Sequence, residues 1–338
     1  MSKILNVAVI GLSSMGQLHC GGVLANKSAN LYAICDSAPE RLEEARKLYP
    51  DARALLDYRE LVADPRVDAA VIVVPDKLHL EMTVAFLRAG KDVLCEKPMA
   101  LTLEECEKMM KVERETGRSL MIGQVCRFTD AFKMAKSIID SGKIGELTFI
   151  ESEYAHDYGV ARGYNDWRVD PDRHGVIGGG CHAIDLLRWI AGDPTDVCSF
   201  ANHKVLTDWP VDDTAIAIYK FPKGVIGKVF VSIGCKRNYT MRSVFYGTKG
   251  TIICDNTSPT LTLFAVDEEG GYTTPHEKEV IVDNHNCVAE IDLFVGALIK
   301  GEGMPIPSIE GASTVAVCYA TVESAKTGQT VPIRYPKD

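Results

Sequence analysis

Directly after the first apolar run of the chain stands Gly11-Leu12-Ser13-Ser14-Met15-Gly16, a glycine-bounded turn that opens a helix. Such a turn aims backbone N–H groups and the positive end of a helix dipole at an anion, which is how a dinucleotide pyrophosphate is held. Gly11 and Gly16 match the first and third glycines of the dinucleotide fingerprint, while Ser13 takes the place of the second. The middle glycine normally lets backbone approach the phosphates closely; serine is the smallest polar replacement and brings a hydroxyl donor of its own. Gly11, Ser13, Ser14, Met15 and Gly16 are therefore the expected phosphate-binding residues. Asp36 closes the second apolar run, twenty residues beyond Gly16. An acid there accepts hydrogen bonds from a ribose diol and repels a 2′-phosphate, so NAD is expected in preference to NADP. Arg41 lies either over the adenine face or beside Glu44, about one helical turn on.

A second group of reactive residue types follows in the latter half. His182 comes after Gly178-Gly179-Gly180-Cys181, a run that brings backbone close to a ligand before a helix begins. Its imidazole is either a general acid or base, or a helix-capping or core histidine. Adjacent Cys181 and His182, with no second ligand at helix or finger spacing, make a poor metal site, and no metal is expected. The stretch from Tyr154, His156, Asp157 and Tyr158 through Arg162, Tyr164, Asp166, Trp167 and Arg168 to Arg173 and His174 is rich in polar and aromatic groups. It suits a carbohydrate, whose hydroxyls pair with Asp, Arg and His while an aromatic face covers the C–H side of the ring. A solvated loop or an oligomer contact is the alternative reading.

Placing these groups takes two kinds of architecture. From Asn6 to Ile122 short apolar runs (7–10, 31–35, 69–74, 93–95 and 120–122) alternate with helix-period segments, the pattern of a parallel sheet with crossover helices. Thr102 with Glu105 three residues on marks one helix start. After Gln124 one helix leads into longer strand-like runs (147–154, 214–221, 225–233 and 244–246), with two helical segments near 287–299 and 310–324. The expected fold class is α/β: an N-terminal Rossmann domain over 1–123, then an α+β domain over 124–338 with a large open, mostly antiparallel sheet.

Composition narrows the function classes. Of 338 residues 46% are hydrophobic and 25% charged, enough to bury two ordinary cores. With 37 basic against 46 acidic residues the net charge is −9, which lacks the basic excess that nucleic-acid binding requires. The eleven cysteines show no C-x-x-C pair, and there is neither a signal-peptide pattern nor a long uncharged apolar window. A cytoplasmic protein with reduced thiols and no membrane partner is expected.

Cys95-Glu96-Lys97-Pro98 at a strand end, Gly16-Gln17-Leu18-His19, Pro75-Asp76-Lys77-Leu78-His79, Ser141-Gly142-Lys143-Ile144-Gly145 and the run from His182 to Trp189 together carry a resemblance. The chain resembles, over nearly its whole length, the Gfo/Idh/MocA family of glucose-fructose oxidoreductase and inositol dehydrogenase. The resemblance implies that Lys97, by itself an ordinary surface lysine, lies beside the nicotinamide and the substrate hydroxyl, and that Pro98 follows a cis peptide bond. It implies further cofactor contacts from Val74, Pro75, His79, Glu96, Gln124, Trp167 and Arg168. Substrate would meet Lys97, Arg127, Tyr154, His156, Arg168 and His182 in a cleft between domains, with Lys97 and His182 catalytic. The family places an Asp four residues before this histidine; here that position is Gly178, leaving Asp185, Asp157 or Glu153 to orient His182. The implied reaction is hydride transfer between NAD and a secondary alcohol of a sugar, inositol or polyol, in a homodimer or homotetramer. The missing Asp also admits a redox-neutral, NAD-retaining glycosidase. A non-catalytic NAD-binding regulator is a third reading.

Overall fold

The computed structural model describes residues 4–266, 271 and 275–337. Its elements run β1 (Leu5–Ile10), α1 (Ser14–Ala25), β2 (Ala29–Cys35), α2 (Pro39–Leu48), β3 (Arg53–Leu55), α3 (Tyr58–Ala63), β4 (Ala69–Ile72), α4 (His79–Arg88), β5 (Asp92–Glu96), α5 (Leu103–Thr116) and β6 (Leu120–Gly123). There follow α6 (Asp130–Asp140), β7 (Leu147–Ala155), α7 (Gly175–Gly178), α8 (Cys181–Ala191), β8 (Asp196–Asn202), β9 (Thr214–Lys220), β10 (Ile226–Ser232), β11 (Thr240–Gly247), β12 (Gly250–Asp255), β13 (Thr260–Ala265) and β14 (His276–Glu279). Last come α9 (Cys287–Lys300), α10 (Ser308–Thr327) and β15 (Val331–Pro332). No helix among the described residues is long and apolar enough to cross a membrane, and the eleven cysteines are all free thiols.

The first compact unit holds the described residues up to Val125 together with Asn286–Ala312. Its six strands pair in parallel in the order β3-β2-β1-β4-β5-β6. The central strands are buried along almost their whole length, as parallel strands covered on both faces must be. Thr102 and Glu105 form the expected capping box at the start of α5, and Gly117 closes that helix in the left-handed region at φ 62°.

The second unit comprises Cys126–His285 and Ser313–Lys337. It is built on a nine-stranded sheet of order β14-β13-β12-β11-β7-β10-β9-β8-β15, in which β7 and β10 pair in parallel and the other described pairs are antiparallel. One face carries α8 on β7 and β10. On the other face β9 alternates: Ala215, Ala217 and Tyr219 are buried, whereas Ile216 and Ile218 are 41% and 44% exposed.

The sequence assigned everything beyond 124 to one domain; the fold returns 286–312 to the first unit instead. The reason is packing. Helix α9 buries Ile291, Phe294 and Val295 and lies along α1, which approaches closely because Gly22 has no side chain. A Cβ at Gly22 would stand 2.9 Å from the Cys287 carbonyl and 3.0 Å from Ile291. Chain order carries no sign of this return. We expect Gly22→Val to force α9 off α1 and cost about 1–3 kcal/mol of stability. An unchanged midpoint in thermal or urea unfolding would contradict the close approach.

Candidate functional site

In the first unit the fingerprint turn is shaped by two glycines. Gly11 sits at φ +93°, where a side chain would run into the Val73 carbonyl, and Gly16 packs against the Gly11 carbonyl in the same way. Ser13 is the N-cap of the 12-residue α1 but makes no side-chain capping bond, and the first turn holds no acid. The opening amides of α1 and the exposed Ser13 and Ser14 are thus a set of donors in a helical turn that carries no acid of its own, which fits a dinucleotide pyrophosphate. Asp36 locks this turn to the end of β2. Its Oδ2 accepts from the Leu12 amide and its Oδ1 from the Ala38 amide and from Arg41 Nη2, each at 2.8 Å. The Arg41 guanidinium is therefore drawn onto Asp36, a placement the sequence had not offered.

At the end of β5 the Lys97 turn is held from both sides. Glu96 accepts from His19 Nε2 of α1 at 2.9 Å and from the Lys97 amide at 3.1 Å. The Lys97–Pro98 bond is cis, as expected, and Lys97 itself is half-buried. His79, expected against the cofactor, is corrected: it has no exposed surface, and it positions the turn instead. Its Nδ1 lies 2.8 Å from the Pro98 carbonyl and its Nε2 3.0 Å from the Val74 carbonyl. Two acceptors demand two donors, so the ring is an imidazolium. Burial alone would lower its pKa, but Cys95, Asp76 and the Pro98 carbonyl outweigh burial and push it up to about 10.

Sequence reasoning missed Glu290, which arrives on α9 from far along the chain. It is fully buried, neither carboxyl oxygen has a hydrogen-bond partner, and Oε2 stands 4.0 Å from His19 Nε2. Burial, reinforced by the charge of Glu96, pushes its pKa well above the usual carboxylate range. Glu96 goes the other way: burial would raise it, and His19 and Lys97 hold it below its ordinary value. With Cys287, His19 and Glu290 place donor atoms within 4.8 Å of one another, the group of metal-ligand spacing among the described residues.

In the second unit His182 lies in the first turn of α8 and is 2% exposed. Its Nδ1 is 3.2 Å from Cys126 Sγ, its ring stacks on Tyr154 at 6.0 Å and 21°, and His285 meets it edge-on at 6.1 Å. Tyr154 Oη bonds Tyr158 Oη at 2.9 Å and His156 Nδ1 at 3.3 Å, so three imidazoles and several phenols share one patch. The acids expected to orient His182 are engaged elsewhere. Asp185 takes a bidentate pair from Arg127 at 2.8 and 2.7 Å, Asp157 binds the Gly159 amide and Lys236, and Glu153 binds Arg237. Arg127, expected against the substrate, is buried and anchors α8 through this pair.

The glycine run serves protein packing and not ligand approach. A side chain at Gly178 would enter the Arg173 guanidinium, one at Gly179 the Tyr154 ring, and one at Gly180 the Val231 side chain. Arg173 Nη2 donates to the Gly178 carbonyl at 3.0 Å, so an arginine fills the space that an Asp at 178 would need. Trp167 and Arg168 are half-buried, with the Arg168 and Arg173 guanidinium carbons 4.7 and 4.8 Å from the Trp167 ring centre.

Comparison with known proteins agrees with this architecture. Residues 5–124 match the family model described as an oxidoreductase family with an NAD-binding Rossmann fold, and residues 132–253 match the GFO/IDH/MocA C-terminal domain. The chain is 27% identical to myo-inositol 2-dehydrogenase of Thermotoga maritima, over 97% of this chain and 98% of that one. It is 29% identical to inositol 2-dehydrogenase 2 of Saccharopolyspora erythraea, over 97% and 95%. The fold is that of levoglucosan dehydrogenase, solved with NADH and L-sorbose, at a TM-score of 0.90 and 22% identity over 99% of this chain and 100% of that one.

His79 has a folded pKa of about 10 against about 6.5 unfolded, so its charged form stabilises fully below pH 6.5 and that contribution is lost as pH rises through 10. We expect His79→Gln to cost about 1–3 kcal/mol at pH 6 and the gap from wild type to narrow toward pH 10. Melting curves at pH 6, 8 and 10 read this directly, and a gap independent of pH would rule out the buried imidazolium.

Proposed function

Because the chain belongs to the GFO/IDH/MocA oxidoreductase family, we propose that it is an NAD-dependent oxidoreductase acting on a secondary alcohol of a sugar, inositol or related polyol. The observation that carries this reading is the half-buried Lys97 at the C-terminal end of β5, its turn fixed by Glu96 and His79 and tied through Glu96 to His19 of α1, the helix whose first turn carries no acid. Two relatives matched along nearly their whole length are named inositol 2-dehydrogenases and another a 1,5-anhydro-D-fructose reductase, which supports the substrate class.

In this reading the opening amides of α1, with Ser13 and Ser14, hold the pyrophosphate, and Asp36 takes the adenosine ribose. Bound NAD supplies the hydride acceptor. Lys97 Nζ hydrogen-bonds the alcohol oxygen and favours the build-up of negative charge on it. With its ring proton on Nδ1, directed at the Cys126 sulfur 3.2 Å away, His182 offers Nε2 to take the hydroxyl proton as the C–H bond breaks and the ketone forms. Tyr154, His156 and Tyr239 furnish hydroxyl-pairing groups next to that imidazole. Gly178, where the family carries an acid, keeps the redox-neutral glycosidase as the second reading.

The exposed face of the open sheet supports assembly. Phe200 is 68% exposed and pairs in register with Ile216, and Ile218 lies two residues on, so a contiguous apolar strip crosses β8 and β9. We take a homodimer or homotetramer to cover it.

The decisive test follows NADH absorbance on inositols, aldoses, sugar acids and glycosides with NAD or NADP. NADH forms with a polyol or sugar, NADP supports less, and Lys97→Ala and His182→Ala each lower kcat by about 10²–10⁴-fold. Cleavage of a glycoside without net NADH would replace this reading with the redox-neutral one. For assembly, Ile216→Glu with Ile218→Glu is expected to convert an oligomer to monomer in light scattering; an unchanged mass places the interface elsewhere.

A further inference from the structure

One short turn grips the start of α8 at two consecutive residues. The 3₁₀ turn Val125–Phe128 presents Cys126 to His182 and Arg127 to Asp185, so the thiol contact is registered by a bidentate ion pair one helical turn away. Cys126 is 2% exposed and its sulfur also lies 3.9 Å from Tyr239 Oη. The imidazole is thus enclosed by Cys126 at Nδ1, the Tyr154 ring on one face and His285 at an edge.

We propose that Cys126 is the positioning residue of His182, its thiol fixing the imidazole through Nδ1 in the role that an acid at position 178 would otherwise fill. This rests on the reading of His182 as the proton acceptor. The geometry closes the alternative route, because the Arg173 guanidinium occupies the space at Gly178. The other groups facing the ring do not substitute for that acid. Tyr154 and Tyr239 are pushed by burial well above the ordinary phenol range and are neutral, Asp185 is held by Arg127, and His285 stacks on Tyr239. With the ring proton on Nδ1 and directed at the sulfur, the Cys126 contact orients the imidazole without setting a carboxylate charge beside it. The consequence is a base whose Nε2 stays available at lower pH than a carboxylate-backed histidine would allow.

The experiment has two independent readouts. In the first, ¹⁵N and ¹³C spectra of His182 are titrated in wild type, Cys126→Ser, Cys126→Ala and Cys126→Asp, with no substrate present. Cys126→Ser is expected to keep the wild-type tautomer, Cys126→Ala to lose it, and Cys126→Asp to raise the His182 midpoint by about one pH unit or more. If the Asp variant does not fold, the Ser and Ala tautomers decide the matter, and identical tautomers and titrations in wild type, Ser and Ala overturn the proposal. In the second, Cys126→Ala lowers kcat about tenfold with KM within about twofold, Cys126→Ser restores it, and the acid limb of kcat/KM moves up in pH in Cys126→Asp. Should wild type oxidise no sugar or polyol, the functional reading falls while the titration still decides the role of Cys126.

Discussion

The contact between His19 and Glu96 joins every part of the first unit that bears on chemistry. His19 belongs to the helix that begins at the fingerprint turn, and Glu96 is the last residue of the strand that delivers Lys97. Neither can shift without moving the other, so the anion-binding turn and the lysine turn are one mechanical object. Because the pair is buried, its hydrogen bond is shielded from water and its geometry is correspondingly stiff. Glu290 completes the group as an acid that does not compete for His19 while it remains protonated.

The second unit solves its positioning problem with different means. Its His182 imidazole is packed, with a sulfur at one nitrogen, a phenol ring against one face, and a glycine run that lets neighbouring groups come into contact with the start of the helix. The strong electrostatic element, Arg127 with Asp185, lies one turn away and holds the helix instead of the histidine. Charge secures the scaffold, and weak contacts are left to set the reacting group.

Much of this was legible in the residues. The alternation of apolar runs and helix-period segments foretold the parallel sheet, since strands covered on both faces read as continuous apolar stretches, and Thr102 with Glu105 marked a helix start by local hydrogen-bonding alone. What could not be read were the partners set by distant pairing. Arg127 and His79 are polar residues near a strand end, indistinguishable in sequence from ligand contacts, and only the fold shows that both spend their donors on protein acceptors. Strands such as β13 and β14 escaped because their exposed faces dilute the apolar pattern. The glycines at 178–180 read as room for a ligand, whereas side chains from Arg173, Tyr154 and Val231 claim that room.

The return of 286–312 to the first unit sets the order of events during synthesis. Besides α9 on α1, the unit draws on a bridge between Met121 and Pro307 and on a hydrogen bond from the Ile122 amide to the Ile306 carbonyl. The first 125 residues alone lack the partners that 286–312 bring to β6 and to His19. The whole of the second unit's sheet up to β14 must emerge before the cover arrives. In that interval Glu290 does not yet exist beside Glu96, and its carboxyl later leaves water for a core position where neither oxygen has a hydrogen-bond partner. Closing the nucleotide-binding half is thus a late step, which waits for α9 to follow the second unit's strands in chain order.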